Sequence, residues 1–189
     1  MHPTAIVADD AEIDATSIGP YAVLGVDGPD DGPGLVVGTG STIRSHVVLY
    51  RATTIGARFH AGHGAIVREH TTIGRDVSIG SHSMIEHHVE IDDGVRIHGG
   101  CFVPERSVLA AGAWLGPNVV VTNARYPNRP DTKERLEGVH VGPGAVVGAG
   151  AVLLPGVTIG AGAIVGAGTV VVEDVPPGAT VVGQGGRKL

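Results

Sequence analysis

The sequence predicts an all-β solenoid, a stack of short strands and turns around one continuous core. The first observation is a period of six. Every sixth residue from Val37 reads Val37, Ile43, Leu49, Ile55, Ala61, Val67, Ile73, Ile79, Ile85, Ile91, Ile97, Val103, Leu109, Leu115 and Val121. Only Ala61 is not a large aliphatic. After a break the period resumes at Val141, Val147, Leu153, Ile159, Val165 and Val171. A helix repeats its apolar face every 3.6 residues and a strand every 2, so a strict six fits neither alone. The second observation is glycine directly after the aliphatic residue, as in Ile73-Gly74, Ile79-Gly80, Leu115-Gly116 and Ile159-Gly160. That pattern reads as a strand that turns, repeated along a stack. The third is composition: apolar residues are 42% but aromatics only 3%, with 31 glycines. A core of Val, Ile and Leu with many turns fits these numbers better than a helical bundle does.

Taken in order, residues 1–36 form an N-terminal coil and loop. Val7, Ile13, Ile18 and Leu24 are near-hexad positions that close one end of the core. Residues 26–34, VDGPDDGPG, are a turn-rich interruption whose aspartates read as solvated. Residues 37–121 are the main coils. If a coil spans three hexads, every third hexad stacks on the one before, and the inward residues fall into three columns, each followed by a corner. The corners after Val37, Ile55, Ile73, Ile91 and Leu109 are small or solvated. Those after Ile43, Ala61, Ile79, Ile97 and Leu115 place His46, His82 and Asn118 in one stack, with Gly64 and Gly100 between them. The corners after Leu49, Val67, Ile85, Val103 and Val121 lack the usual glycine. One stack there reads Arg51, Glu69, His87, Glu105, Asn123, and its neighbour reads Ala52, His70, His88, Arg106, Ala124. The repeat itself lines up titratable groups along this third corner. Residues 122–140 leave from the same corner as a polar projecting loop, long enough to be expected to reach over a site or a neighbour. Residues 141–189 are regular C-terminal coils and a tail, and the whole of 1–189 reads as one domain.

These hexads resemble those of the hexapeptide-repeat acyltransferases. The resemblance covers nearly the whole chain and implies a left-handed parallel β-helix of triangular section, with three hexads per coil. It also implies a homotrimer with active sites between neighbouring prisms. Within that family, His98-Gly99-Gly100 and the run GPNVVVTNARYPN resemble the nucleotide-sugar amino N-acetyltransferases. Where that group has asparagines, this chain has Gly99 and Gly100, which leaves His98 as a candidate base.

His87 is the first candidate for a general base. It stands in IEHHVEID between the stacked Glu69 and Glu105, and imidazole suits proton removal near neutral pH. A stacked carboxylate can orient the ring and support its charged form. Its position also resembles that of the catalytic His of hexapeptide sugar and lipid acyltransferases. A solvated ladder of charges on a β-helix edge accounts for the same residues without chemistry. Arg68, His88, Asn118, Asn123 and Tyr126 are candidate substrate contacts. Arg125, Arg129, Lys133 and Arg135 in the loop can meet phosphates or simply be solvated. The galactoside and maltose type acetyltransferases carry their catalytic His in the long loop, whereas no His lies in residues 122–138 here. The resemblance implies acetyl-CoA as co-substrate, with its pantetheine arm along the C-terminal coils. Gly148, Ala149, Gly166 and Ala167 would allow close approach there, and Arg187 and Lys188 would meet CoA phosphates.

Ten histidines raise the question of a metal. The run FHAGHGAIVREH is similar to the γ-class carbonic anhydrases, which take zinc through three His. Tyr50 and Arg68 occupy the positions expected for the other ligands, and only His63 fits, so no metal is expected. The 13 basic and 19 acidic residues give −6, which argues against a nucleic-acid surface. Cys101 is alone, which precludes an internal disulfide framework. No apolar run is long enough to span a membrane as a helix and no signal segment opens the chain, so neither membrane nor export is expected, and the default location is the cytoplasm. The expected function is acetyl transfer from acetyl-CoA to the amino group of a nucleotide-linked amino sugar. Sugar O-acetylation, a γ-class metalloenzyme and a non-catalytic scaffold are the alternatives.

Overall fold

The computed structural model describes residues 1–26, 28 and 32–183. Within them the chain is an all-β, left-handed parallel β-helix. Nearly every strand is a short step whose first side chain points out and whose second points in, as at Met84–Ile85 and Phe102–Val103. Partners stand three hexads apart through the main coils: Ile85 pairs with Val67 on one side and Val103 on the other. The period of six is therefore one side of a triangle, and three sides close one coil. Where the loop of residues 122–140 is inserted, the partner spacing lengthens, as from Val121 to Leu153.

The three inward columns form one core. Ile79, Ile85, Val103, Leu115 and Val121 are all fully buried. Each such side chain contributes about 1.5–3 kcal/mol over an exposed one. Buried hydroxyls tie the coils together beneath the corners. Thr71 Oγ1 donates to the Glu86 carbonyl at 3.0 Å, and Thr53 Oγ1 to the Arg68 carbonyl at 3.0 Å. The third residue after the inward one is left-handed at corner after corner, with φ 58° at His82, 55° at His88 and 67° at Gly150. This sharp reversal lets each coil turn in so few residues.

The three flat faces differ in what they show to solvent. The face that ends at the third corner presents Ile6, Val23, Val48, Ile66, Met84, Phe102, Val120, Val152 and Val170 in one ladder. All nine are apolar. The other two faces present mostly Thr, Ser, His, Arg and Glu at the equivalent places, such as Thr54, Thr72 and Glu90 or His60, Ser78 and Arg96.

Candidate active site

Glu69, His87 and Glu105 stand on successive coils of the third corner, as the stacking predicts. His87 Nδ1 lies 3.2 Å from Glu105 Oε2, and both side chains are mostly covered, with 24% and 20% of their surface exposed. Glu69 turns instead to Arg68. Its carboxylate receives both Nη2 at 2.7 Å and Nε at 3.2 Å, a forked pair. Arg68 also reaches Glu86 at 3.5 Å and lies over the Tyr50 ring at 5.8 Å. Desolvation alone would raise the Glu69 carboxyl. Its own backbone N–H, the Arg68 guanidinium and His87 outweigh that, and the acid is held below its ordinary range. Arg68 is thus paired with two carboxylates within the chain, with 30% of its side-chain surface still exposed.

Backbone ties hold His87 in place. Thr71 Oγ1 is bonded to the carbonyl of Glu86, immediately before it. The His88 amide donates to the Glu69 carbonyl at 3.2 Å, and the Arg106 amide donates to the His88 carbonyl at 3.1 Å. The ring of His88 meets His70 at 4.8 Å between centroids, and its Nδ1 lies 2.8 Å from His87 Nδ1. His88, expected as a substrate contact, therefore turns towards His87. The sequence offered a signal for Thr71 that was missed: a hydroxyl begins the hexad after this corner at Thr53, Thr71 and Ser107.

The long loop leaves from the third corner and folds back on it. Asn123 Nδ2 donates to the Glu105 carbonyl at 3.4 Å, and Arg106 Nη1 donates to the Leu136 carbonyl at 2.9 Å. Arg125 Nη2 reaches the Pro155 carbonyl at 3.2 Å. The loop thus docks on its own corner, on the C-terminal side of His87. Tyr126 stacks with Arg129, whose guanidinium carbon is 4.1 Å from the ring centroid, and both line a small cavity within the loop with Arg125 and Arg135. At the other end of the corner, the Ala52 amide donates to the Pro33 carbonyl at 2.8 Å, and Arg51 binds Asp10 at 2.6 Å. Pro33, read from sequence as part of a solvated loop, is therefore docked on the same strip. Asp27, Asp30 and Asp31 lie outside the described residues.

The remaining candidates are on the second corner, one full face away. His98 packs against Trp114 at 4.7 Å between centroids. Asn118 leans over Gly100: a methyl group added there would meet Asn118 Oδ1. Gly148, Ala149, Gly166 and Ala167 continue this corner. A Cβ on Gly148 would stand 2.4 Å from the Ala167 nitrogen, so coil stacking already requires that glycine without a ligand. Arg187 and Lys188 lie outside the described residues. Among the described residues no group of three or more His, Cys, Asp or Glu is arranged to hold a metal ion, and no helix is long and apolar enough to cross a membrane.

Comparison with known proteins follows the repeat. The bacterial transferase hexapeptide model (six repeats) matches residues 70–105 and 138–172. An acyl-[acyl-carrier-protein]–UDP-N-acetylglucosamine O-acyltransferase of Saccharophagus degradans is 30% identical over 131 residues, 65% of this chain and 48% of that protein. The chain thus spans about half the length of the curated relative it matches. The UDP-N-acetylglucosamine acyltransferase from Campylobacter jejuni superposes with a TM-score of 0.79 at 19% identity, over 95% of this chain and 69% of that one. The Arabidopsis UDP-N-acetylglucosamine acyltransferase gives 0.57 at 20% identity, over 97% and 71%. At these identities the two structures speak for the fold alone.

Proposed function

We propose that the chain, whose hexads match the bacterial transferase hexapeptide model over residues 70–105 and 138–172, is a hexapeptide-repeat acyltransferase that moves an acetyl group from acetyl-CoA to the amino group of a nucleotide-linked amino sugar. The observation that carries the reading is His87, paired with Glu105 in a partly buried strip beside the docked loop. The amine lone pair attacks the thioester carbonyl carbon, and a C–N bond forms. The nitrogen proton passes to His87 Nε2, with the growing imidazolium supported by Glu105. The tetrahedral intermediate then collapses. The C–S bond breaks, and the proton on His87 goes to the leaving sulfur. Backbone amides or Asn side chains of the surrounding corners stabilise the oxyanion.

A homotrimer belongs to this reading. The apolar ladder from Ile6 to Val170 lies between the second corner, with Gly148 and Gly166, and the third, with His87. A cyclic assembly seated on that face would bring the second corner of one copy towards the third corner of the next. His98 and the cofactor candidates would then face a neighbour's His87. Within one chain they stand a full face apart.

The Saccharophagus relative favours a second reading, acyl transfer to a sugar hydroxyl from an acyl carrier protein. One assay separates the two. Purified protein is offered acetyl-CoA, a longer acyl-CoA or an acyl carrier protein thioester, with nucleotide-linked amino sugars or UDP-N-acetylglucosamine as acceptors. An amide product survives hydroxylamine and an ester does not. The proposal expects a hydroxylamine-stable product from acetyl-CoA, and a loss of about 10²–10⁴-fold in kcat for His87→Ala. Full activity in His87→Ala would sink the role given to His87, and an ester product would move the reading to the hydroxyl.

A further inference from the structure

The rings of His87 and His88 meet edge to face, with centroids 5.0 Å apart and planes at 85°. Their Nδ1 atoms are 2.8 Å apart. Two neutral imidazole nitrogens at that distance share one proton, so one ring donates and the other accepts. Glu105 Oε2 stands 3.2 Å from the same His87 Nδ1, and an ionised carboxylate only accepts. One arrangement satisfies both contacts. His87 carries its proton on Nδ1 and donates it to His88, which keeps the lone pair of its own Nδ1, while the Glu105 carboxylate stands beside the positive end of that N–H. The reverse arrangement, with the proton on His88 Nδ1, sets the Glu105 carboxylate against a bare nitrogen lone pair. Only the first leaves His87 Nε2 unprotonated.

We propose that His88 is a positioning residue, a neutral acceptor that with Glu105 fixes His87 in the Nδ1–H tautomer and so keeps Nε2 open to a proton. The catalytic consequence rests on the acyl-transfer reading; the tautomer itself does not.

The surroundings hold His88 in this role. Its amide and carbonyl are tied to Glu69 and to Arg106 on the flanking coils. Its backbone is left-handed, with φ 55°, a conformation that costs a non-glycine residue about 1 kcal/mol or more and that the stacked coils must hold. The groups that face it are His70 on the coil before, His87 beside it, Glu69 and Glu105 on the corner, and Arg106 on the coil after. Desolvation of the ring, then His70 and His87, lower its proton affinity, and Glu105 and Glu69 oppose this without reversing it. His88 therefore stays neutral at neutral pH, the state an acceptor needs. On acidification it gains a second N–H. Its contact with His87 then becomes donor against donor, and the tautomer is released.

The test uses two substitutions that both tolerate a left-handed backbone. His88→Asn keeps an acceptor, its Oδ1. His88→Gly removes it. Long-range ¹⁵N–¹H correlation of the imidazoles in the full chain, without any substrate, reads which nitrogen of His87 carries the proton. The expected result is Nδ1–H in the parent and in His88→Asn, with a shift towards Nε2–H in His88→Gly. In acyl transfer, His88→Gly should lose on the order of 10-fold in kcat with little change in KM, and His88→Asn should recover most of it. A His87 tautomer unchanged in His88→Gly overturns the proposal whatever the activity. Tautomer control as expected, in a protein that acylates no nucleotide-linked sugar, upholds the positioning and overturns the acyl-transfer reading instead.

Discussion

Gly138 closes the long loop against the third corner, and Gly138→Ala tests how that loop is held. A Cβ at this position would lie 1.8 Å from the Arg106 carbonyl oxygen, 2.1 Å from its carbon and 2.6 Å from the Ser107 nitrogen. Ordinary contact begins near 3.4 Å, so the backbone must shift substantially, and no flexible side chain can absorb this. Two routes are open. The coil can yield, at an overpacking cost of about 1–3 kcal/mol or more. Or the loop can lift, which forfeits the bonds from Arg106 Nη1 to Leu136, from the Glu137 amide to Asn123 and from the Gly156 amide to Glu137. At a net contribution of about 1 kcal/mol each, the second route costs roughly the same as the first. The expected loss is about 2–3 kcal/mol, or about 4–12 °C in Tm for a chain of this size. Calorimetry reads the loss. Trypsin reads the route: the side chains of Arg125, Arg129, Lys133 and Arg135 are already exposed, and a lifted loop frees the backbone beside them for cleavage. Gly144→Ala is the control: its φ is 64° and a Cβ there meets nothing within 4 Å, so only torsion is at stake. A Gly138→Ala protein with the parent's Tm and trypsin pattern would refute the docking of this loop.

Acid should destabilise the fold in two stages. His60 is held below the ordinary imidazole value of 6.5 by desolvation and then by Arg44 and His63, and His88 is lowered as well. The unfolded chain therefore takes up those protons first, and Tm, level above neutrality, declines as pH falls below about 6.5. Glu69 is lowered from 4.5, so the stability it contributes is complete above that value and is lost below it. In a His60→Asn, His88→Asn double variant the upper decline should shrink and the lower remain; an unaltered upper decline in a Tm series against pH would contradict this. On the proposed trimer, whose interface is the apolar ladder, Phe102→Glu should give the mass of the single 19.1 kDa chain in sedimentation velocity with circular dichroism unchanged, and a parent protein that already sediments at that mass would contradict the trimer. Ile85→Ala, at a fully buried position two residues before His87, should cost about 2–5 kcal/mol in denaturant unfolding. A loss well short of that range would place the side chain outside a packed core.

The period of six carried most of the fold because an inward aliphatic and a tight corner recur at fixed spacing, and the pairing of every third hexad follows directly. The stacking of Glu69, His87 and Glu105 follows from the same arithmetic. What spacing could not give was the choice among partners. Sequence places Glu69 and Glu105 symmetrically about His87, yet Arg68 claims Glu69 from the adjacent position and leaves Glu105 to the imidazole. Nor does a repeat count say where an insertion folds. Pro33 and the loop of residues 122–140 lie off the period, and their docking rests on single bonds such as Ala52 to Pro33 and Asn123 to Glu105. Gly148 and Gly166 show the opposite ambiguity. Glycine suits both ligand approach and coil stacking, and only the position of the next coil shows that Gly148 is required by stacking alone.

Backbone strain is an obvious marker for a site, but its distribution argues otherwise. Left-handed non-glycine residues occupy all three corners: Arg58 and Asp76 on the first, His46, His82 and Asn118 on the second, Ala52, His70, His88 and Arg106 on the third. From Gly144 to Gly178 the same turn is made with glycine. The earlier coils thus accept about 1 kcal/mol or more at each such corner to carry a side chain there. On the first corner Arg58 and Asp76 pair with each other in solvent, and on the second His82 lies over Gly64. A second charged column, Arg75 and Asp93, stands beside Arg58 and Asp76 on the first corner, but all four side chains lie in solvent and each pair closes on itself between successive coils. On the third corner the strained column His70, His88, Arg106 stands beside a second one, Glu69, His87, Glu105, and the two are in contact through His87 and His88. It is this contact, and not the torsion, that singles out the third corner. His82→Gly and His88→Gly relieve the same kind of strain and should change Tm alike, whereas only His88→Gly should alter the protonation of a neighbouring ring. An equal effect of both substitutions on the His87 tautomer would mean that the third corner differs from the others in composition alone.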